Sequence, residues 1–377
     1  MNKQKRKILL LINSNRGGGA EVIFQNLYSY FKQKNDVRIF YSHRLVLPVL
    51  NINLTFILKN RIIRFLINLV RLFLIKLNNE YFVISGLHEE NFLALLFFKN
   101  PIVTIHDNEI PNYKYKILFN FCYSFLARKK NAKIICVSKG LMFFYKNLFP
   151  RSNINYIYNG INFSPYSNIK ISKVEINKFL IVGRFVFKKN HFAFFKAFVK
   201  HSKINPNATL TLCGDGYLKK KYYEYFKNNN LLSKIKFISW QQNLNEIYKS
   251  HDCLILCSLY EGFGNVIVEA MSHDLYVIST DCNYGPREIL FPNISFQKDM
   301  NKDYIIEEHA SLIKMNDLLI PYSENKLHNE KVISKRINSV LKSKSSYNKQ
   351  KINIFFNKYI KNNFSLYKMY DRYDRLL

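Results

Sequence analysis

The sequence predicts an α/β fold made of two doubly wound parallel-sheet domains, and three observations carry that prediction. Short apolar runs of strand length recur along the chain, each followed by a longer stretch with helical periodicity. Glycine-rich turns close several of these runs, as in "LLINSNRGGGAEV" and "TLCGDGYLKKK". The alternation lapses over 163–178, "FSPYSNIKISKVEINK", and then starts again, as it does where a linker joins two similar domains.

Taken in order, "KRKILLLINSNRGGGAEVIFQNLYSYF" reads as strand, glycine turn and amphipathic helix, and "VRIFYS" (37–42) as the next strand. Further strands are expected at 81–85, 101–106, 132–138 and 154–159, with helical patterns at 60–77, 88–98, 113–129 and 139–148 between them. These make a first domain over 1–165. Beyond the linker, buried strands are expected at 178–183, 208–213, 234–239, 252–258 and 275–280, each leading into a helix. They define a second domain over 178–345, facing the first across a cleft. The end from 327 is polar, basic and Tyr-rich and reads as helices, with 346–377 a helical tail; no internal repeat is present.

Composition narrows the class. At 377 residues and 48% apolar, the chain can build two cores. The run "ILLLI" at 8–12 is too short for a signal h-region, and nothing approaches about 20 uninterrupted apolar residues, so a cytoplasmic protein is expected. The six cysteines are scattered through apolar runs and read as small buried hydrophobes, Cys253 and Cys257 included; no metal site is expected. Lysine and arginine number 57 against 26 acids, a formal charge of +31. Part of that excess accompanies the abundance of Lys, Asn, Ile, Tyr and Phe that an AT-rich genome encodes; the rest attracts polyanions, either phospholipid headgroups, nucleotide diphosphates or nucleic acid. A nucleic-acid-binding protein would carry aromatic-basic or zinc patterns, and none is found.

The chemistry concentrates in a few junctions. In "LYEGFGNVIVEAM" (259–271), Val266 with Ala270 and Ile267 with Met271 make a packing stripe, but Glu269 falls on the face of Asn265, one turn on, while Gly262 and Gly264 allow a ligand close to the backbone. "LIVGRFVFKKNH" places Arg184 after a strand and Lys189 before a helix, a cation pair suited to a diphosphate at the carboxyl edge of a parallel sheet. Gly214 and Gly216 in "CGDG" form a turn that could lie against a ribose or base, and Gly17, Gly18 and Gly19 open a helix N-terminus to an anion or an acceptor. His106 ends the strand "PIVTIH" at the carboxyl edge of the first domain.

The ordered set "GGGAE" (17–21), "TIHD" (104–107), "VSKG" (137–140), "IYNGI" (157–161), "VGRFVFKKN" (182–190), "CGDG" (213–216), "EGFGNVIVEA" (261–270) and "DCNYGPREIL" (281–290) resembles the GT-B glycosyltransferases of family 4. The likeness covers about residues 6–291 and is most specific in Glu261 and Glu269, with seven residues between them, and "GPREIL" one strand later. It implies two Rossmann-like domains, a retaining reaction without a metal or other cofactor, and a UDP-sugar donor supplying a hexose or N-acetylhexosamine to a bacterial surface glycan. By that resemblance Arg184 and Lys189 hold the diphosphate, Glu269 the ribose hydroxyls, and Glu261 faces the donor sugar. Gly262, Phe263, Gly264 and Asn265, with Gly214, complete the donor site. Gly17, Gly18 and Gly19 border the acceptor, and His106 reaches the donor sugar as a second catalytic residue. The chain departs from many relatives at Asn265, where they carry leucine. A sugar-nucleotide epimerase or phosphorylase on the same fold stands as the alternative reading, beside a nucleic-acid-binding protein.

The segment "NRIIRFLINLVRLFLIKL" (60–77) raises a separate expectation. As a helix it puts Arg61, Arg64, Asn68 and Arg71 on a single stripe, with Lys76 near its end and nearly everything else apolar. Two readings follow: a helix lying in an anionic headgroup layer with its arginines on the phosphates, or a core helix with its arginines in solvent. On either reading the large positive charge favours peripheral attachment, and the protein is expected on the inner face of the plasma membrane, beside a lipid-linked acceptor.

Overall fold

The computed structural model describes residues 5–14, 18–43, 46–47, 52–53, 60–78, 80–107, 116–163, 173–295, 298–315, 317–318 and 325–377. The chain divides into two compact units, Met1–Gly160 with Leu366–Leu377, and Ile161–Ser365.

The first unit runs β1 (Lys7–Ile12), α1 (Gly19–Phe31), β2 (Asp36–Tyr41), a short antiparallel pair β3 (Val46–Leu47) and β4 (Ile52–Asn53), then α2 (Arg61–Asn78) and β5 (Phe82–Gly86). It continues with α3 (His88–Phe97), β6 (Ile102–Ile105), α4 (Lys116–Lys129), β7 (Lys133–Cys136), α5 (Lys139–Leu148) and β8 (Asn153–Tyr156). Six strands form one parallel sheet in the order β2-β1-β5-β6-β7-β8. Its central strands are largely apolar because both faces are covered: residues 8–12 of β1 are all buried. The expected strands and helices of this half are found, with ends shifted by up to three residues; 113–115 of the helix expected over 113–129 lie outside the described residues.

The second unit begins with β9 (Lys173–Glu175) and β10 (Lys178–Val182), then α6 (His191–Ile204), β11 (Thr209–Cys213), α7 (Lys219–Asn228), β12 (Ile235–Ile238), α8 (Asn245–Lys249) and β13 (Cys253–Leu256). There follow α9 (Asn265–Met271), β14 (Tyr276–Thr280), α10 (Pro286–Leu290), β15 (Tyr304–Ile306), β16 (Ala310–Ile313), α11 (Lys326–Ser343), β17 (Ser346–Asn348), α12 (Lys349–Phe355) and α13 (Lys361–Phe364). The sheet order is β12-β11-β10-β13-β14-β16-β15, with only β15 antiparallel. The chain winds outward from β10 through β11 to β12 and then back to β13 on the other side. The carboxyl ends of β10 and β13 therefore flank a topological switch point, where such sheets bind ligands.

Two expectations about segments change. Part of the stretch read as a linker, 173–175, is β9, which pairs with β17, while 164–172 lie outside the described residues. The expected tail 346–377 is divided: 346–365 stay with the second unit, and the last helix, α14 (Leu366–Asp374), belongs to the first. There Met369 and Tyr373, each 2% exposed, join the core of α1 and β1, and Gly160 N–H donates to the Met369 sulfur at 3.2 Å.

Both readings of 60–77 misplace its arginines. Helix α2 is present, but its polar stripe faces the protein: Arg64 pairs with Glu89 of α3 at 2.9 Å, and buried Asn68 donates to the Ser42 carbonyl at 3.1 Å. Arg71 donates to the Asn68 side chain at 2.9 Å, with its guanidinium 4.2 Å from the Phe40 ring. Buried Glu90 accepts from the Ser42 hydroxyl. Among the described residues, no helix is long and apolar enough to cross a membrane.

Candidate functional site

The second unit brings together at its switch point residues that lie 72 positions apart in the chain. After β10, a 3-10 turn (Phe187–Lys189) ends at Asn190, whose left-handed backbone (φ 49°) starts α6. After β13, the loop 257–264 leads into α9. Leu259 N–H donates to the Lys188 carbonyl at 2.8 Å, and the Lys188 ammonium lies 5.1 Å from the Tyr260 ring centre. So joined, the two loops set Lys189 Nζ 2.5 Å from Glu261 Oε1, with side chains only 15% and 13% exposed.

Glu261 is held from several sides. Its Oε1 also accepts from Ser258 Oγ at 2.6 Å, and its backbone pairs with that of Asn283 and Tyr284 after β14. Burial alone would raise its pKa. The Lys189 ammonium, the hydrogen bonds from Lys189 and Ser258, and the Lys188 charge outweigh burial and hold the carboxyl below its ordinary value. It is a fixed carboxylate. Arg184, by contrast, is exposed and makes no hydrogen bond or ion pair through its side chain among the described residues. The expected cation pair is therefore unequal: one arm is open to an anion, the other already shares its charge, although an ammonium with three donors can take a further acceptor.

Glu269 stands half-buried on α9, where Tyr248 donates its hydroxyl to Oε2 at 2.7 Å. Burial raises its pKa, opposed by that hydrogen bond. Its backbone carbonyl accepts from Ser272 Oγ at 2.6 Å. The predicted stripe on α9 is buried at Ile267, Ala270 and Met271, but Val266 is only half-buried and Val268 is buried instead.

The glycines prove to be of two kinds. Gly264 (φ 99°) begins α9 in a left-handed conformation, with Gly262 buried and Asn265 the first helical residue. Gly214 has a packing reason of its own: a Cβ there would lie 2.0 Å from the Gly183 carbonyl oxygen, so glycine lets the turns after β10 and β11 pack backbone to backbone. Phe263 is likewise drawn into the interior, 2% exposed and edge-on to Phe364 at 5.3 Å, which leaves its backbone rather than its ring for a donor.

The remaining predicted residues lie on the first unit. His106 follows β6, and its Nε2 is 2.9 Å from Thr104 Oγ1. Because the Thr104 hydroxyl donates to the Ser85 carbonyl at 2.8 Å, the His106 Nε2–H is the donor to Thr104, and Nδ1 carries no proton in the neutral ring. Burial pushes its pKa down to about 4, against the Asp107 carboxylate and with the help of His88. Gly18 caps α1 with extended backbone (φ −132°) that any residue adopts, so no tight turn requires glycine there; Gly19 is the first residue of α1, and Gly17 lies outside the described residues.

Sequence reasoning did not single out Tyr248, Ser258 or the clamp around Arg287. Ser258 had a local signal, three residues before Glu261. Tyr248 had none, since its contact with Glu269 forms only when α8 packs near α9. Arg287 of "GPREIL" pairs with Asp281, donating from Nε to Oδ1 at 2.9 Å, and donates to the Ser295 carbonyl at 2.9 Å, which fixes the segment after α10. Among the described residues no three His, Cys, Asp or Glu side chains converge as a metal site.

A doubly wound sheet with an ion pair and an exposed arginine at its switch point defines a Rossmann-type α/β class. The chain belongs to the family described as glycosyl transferases group 1, whose model matches residues 166–354. It is 30% identical over 220 residues to an uncharacterized glycosyltransferase of Methanocaldococcus jannaschii, covering 54% of this chain and 53% of that one. To an alpha-1,4-N-acetyl-D-galactosaminyltransferase of Campylobacter jejuni, named for a PP-undecaprenol-linked glycan, it is 25% identical over 208 residues, 53% of this chain and 54% of the other. The chain thus spans about half the length of these curated relatives. Anabaena HepE, solved in complex with UDP and glucose, superposes with a TM-score of 0.67 at 14% identity over 98% of both chains, and the shared fold is GT-B.

Proposed function

We propose that this protein is a retaining glycosyltransferase that moves a hexose or N-acetylhexosamine from a UDP-sugar to a lipid-linked or lipopolysaccharide-type glycan, at the inner face of the plasma membrane and without a metal or other cofactor. The observation that carries the reading is the meeting of Lys189 and Glu261 at the switch point of the second sheet, with Arg184 exposed on the same strand end. Arg184 takes the donor diphosphate, and Lys189 adds a second contact from an ammonium already oriented by Glu261. As the bond from the sugar to the β-phosphate breaks, charge grows on the departing UDP, and fixed cations stabilise it. Glu261, kept ionised, accepts hydrogen bonds from donor-sugar hydroxyls. Glu269, steadied by Tyr248, accepts from the ribose.

Support for the donor comes from HepE, whose solved complex holds UDP and glucose. Support for the acceptor class comes from the Campylobacter relative, whose name contains PP-undecaprenol. The test has two parts. Calorimetry should give UDP binding that GDP does not match and that Arg184→Ala weakens about tenfold, as loss of one charge-assisted hydrogen bond does. With a UDP-sugar and a diphosphoundecaprenol-linked oligosaccharide, UDP should be released only when the acceptor is present, and product NMR should show a retained anomeric configuration. UDP release independent of acceptor, an inverted product, or activity lost in EDTA and restored by manganese would each overturn the corresponding part of the reading.

A further inference from the structure

Helix α2 is turned inside out for a helix of a water-soluble domain. Ile62, Leu66, Val70, Phe73 and Leu77, spaced four, four, three and four residues apart, form one stripe, and they are 72%, 55%, 61%, 49% and 64% exposed. Among the described residues no polar side chain interrupts that stripe, because Arg64, Asn68 and Arg71 are committed to the interior. At 1.5 Å per residue it is about 22 Å long, far beyond the scattered apolar residues any surface carries.

The surrounding charge selects the occupant. Lys76 is exposed beside Leu77, at the end of the stripe. The Lys130 ammonium is pushed below its ordinary pKa, first by burial and then by Lys76, Lys129 and Lys99, so these four cations lie close enough to repel one another. None of the four makes an ion pair among the described residues. A second copy of the chain would bring another +31 charge to the contact and be repelled, whereas an anionic bilayer neutralises it.

We propose that the outward face of α2 is the surface by which this chain docks on an anionic lipid bilayer, its aliphatic and aromatic side chains entering the interface and the lysine cluster at its end meeting headgroup phosphates. The helix lies in the membrane plane through its apolar face, and its arginines serve to hold it on the protein instead of on lipid. Docking rests on the proposed lipid-linked acceptor only for its purpose. Its physical basis is the stripe and the lysines.

The test is co-sedimentation of the full chain with phosphatidylcholine vesicles with and without phosphatidylglycerol, comparing wild type with Leu66→Gln/Val70→Gln/Phe73→Gln. These side chains face outward, so far-UV circular dichroism and UDP affinity should be unchanged while partitioning onto the anionic vesicles falls at least tenfold. High salt should weaken wild-type binding without abolishing it, and a solvatochromic dye on Val70→Cys should shift to the blue with anionic vesicles. Equal pelleting of wild type and triple variant, or a dye that reports water throughout, would overturn the proposal. So would a wild-type dimer that the triple variant dissociates and that ignores vesicles. Vesicle binding by a chain that fails to bind UDP would leave the docking surface standing and remove the donor assignment; the converse would do the opposite.

Discussion

Lys189 and Glu261 sit in contact with little exposure, and the cost of disturbing them separates structure from chemistry. Removing one charge leaves the other buried and unpaired, so Lys189→Met should destabilise the second unit by about 3 kcal/mol, while Lys189→Met/Glu261→Gln should recover much of that loss. All such variants should remain inactive, since the donor contacts go with the charges. Urea denaturation of the four proteins of the cycle checks this, and additive losses would mean that the pair does not couple. The pairing itself was not legible: "VGRFVFKKN" and "EGFGNVIVEA" marked both residues as functional, but only the strand order places them together. A second buried group makes a pH prediction. His191 is 3% exposed among Phe185, Phe195 and Tyr222, and its Nδ1 has no hydrogen-bond partner among the described residues. Burial, with Lys189 adding to it, pushes its pKa from 6.5 to about 3. Between those values the unfolded chain binds a proton that the folded chain refuses, so the stability of the neutral ring is complete above pH 6.5 and drains away as pH falls, by up to about 1.4 kcal/mol per pH unit. His191→Phe, apolar and close in shape, should flatten the stability profile between pH 6.5 and 4.5 when denaturation is followed across that range; an unchanged slope would place the acid sensitivity elsewhere.

At the scale of elements, apolar runs gave away the strands because parallel strands covered on both faces have no polar side to confuse the reading. The outer pieces escaped. Strands β15 and β16 are three and four residues long, with the polar 307–309 between them, and too short to show a period. The orientation of helix α2 escaped for another reason: its periodicity is real, but periodicity gives a polar face and an apolar face without saying which of them points inward. What decides is the partner, namely Glu89 on α3 and the Ser42 carbonyl, which accept from Arg64 and Asn68 where a lipid or water was expected. The inverted helix should therefore punish the usual repair. Asn68→Leu adds apolar surface at a fully buried position, yet strips a donor from the Ser42 carbonyl and an acceptor from Arg71. It should cost about 2 kcal/mol, as unmade buried hydrogen bonds do, where an ordinary core helix would gain from the same change. A thermal melt at or above the wild-type midpoint would show that the polar network contributes no stability.

For the whole molecule, the chain path matters more than either sheet. The last twelve residues, read from the sequence as part of a tail, return to the first unit, because a polar, Tyr-rich segment shows no sign of the core to which its few apolar side chains belong. Met369 and Tyr373 are buried with α1 and β1; Tyr370 stacks on Tyr30 at 4.1 Å, and Lys133 donates to the Leu376 carbonyl at 2.7 Å. Deleting 366–377 should consequently damage the half of the protein that lies farthest from it in sequence. Burying Met369 and Tyr373 contributes roughly 4 kcal/mol on area grounds, enough to lower the melting of a unit this size by about 10 °C. The second unit keeps β17 on β9 and its whole sheet in the truncated chain, so its unfolding should hardly move. Calorimetry with and without UDP assigns the transitions, since a ligand held at Arg184 and Lys189 raises only the melting of the unit that binds it. The expected result is a UDP-shifted transition at the wild-type temperature and a second one lowered by the truncation. A truncated chain in which the UDP-sensitive transition falls instead, or in which neither moves, would show that α14 stabilises something other than the first sheet.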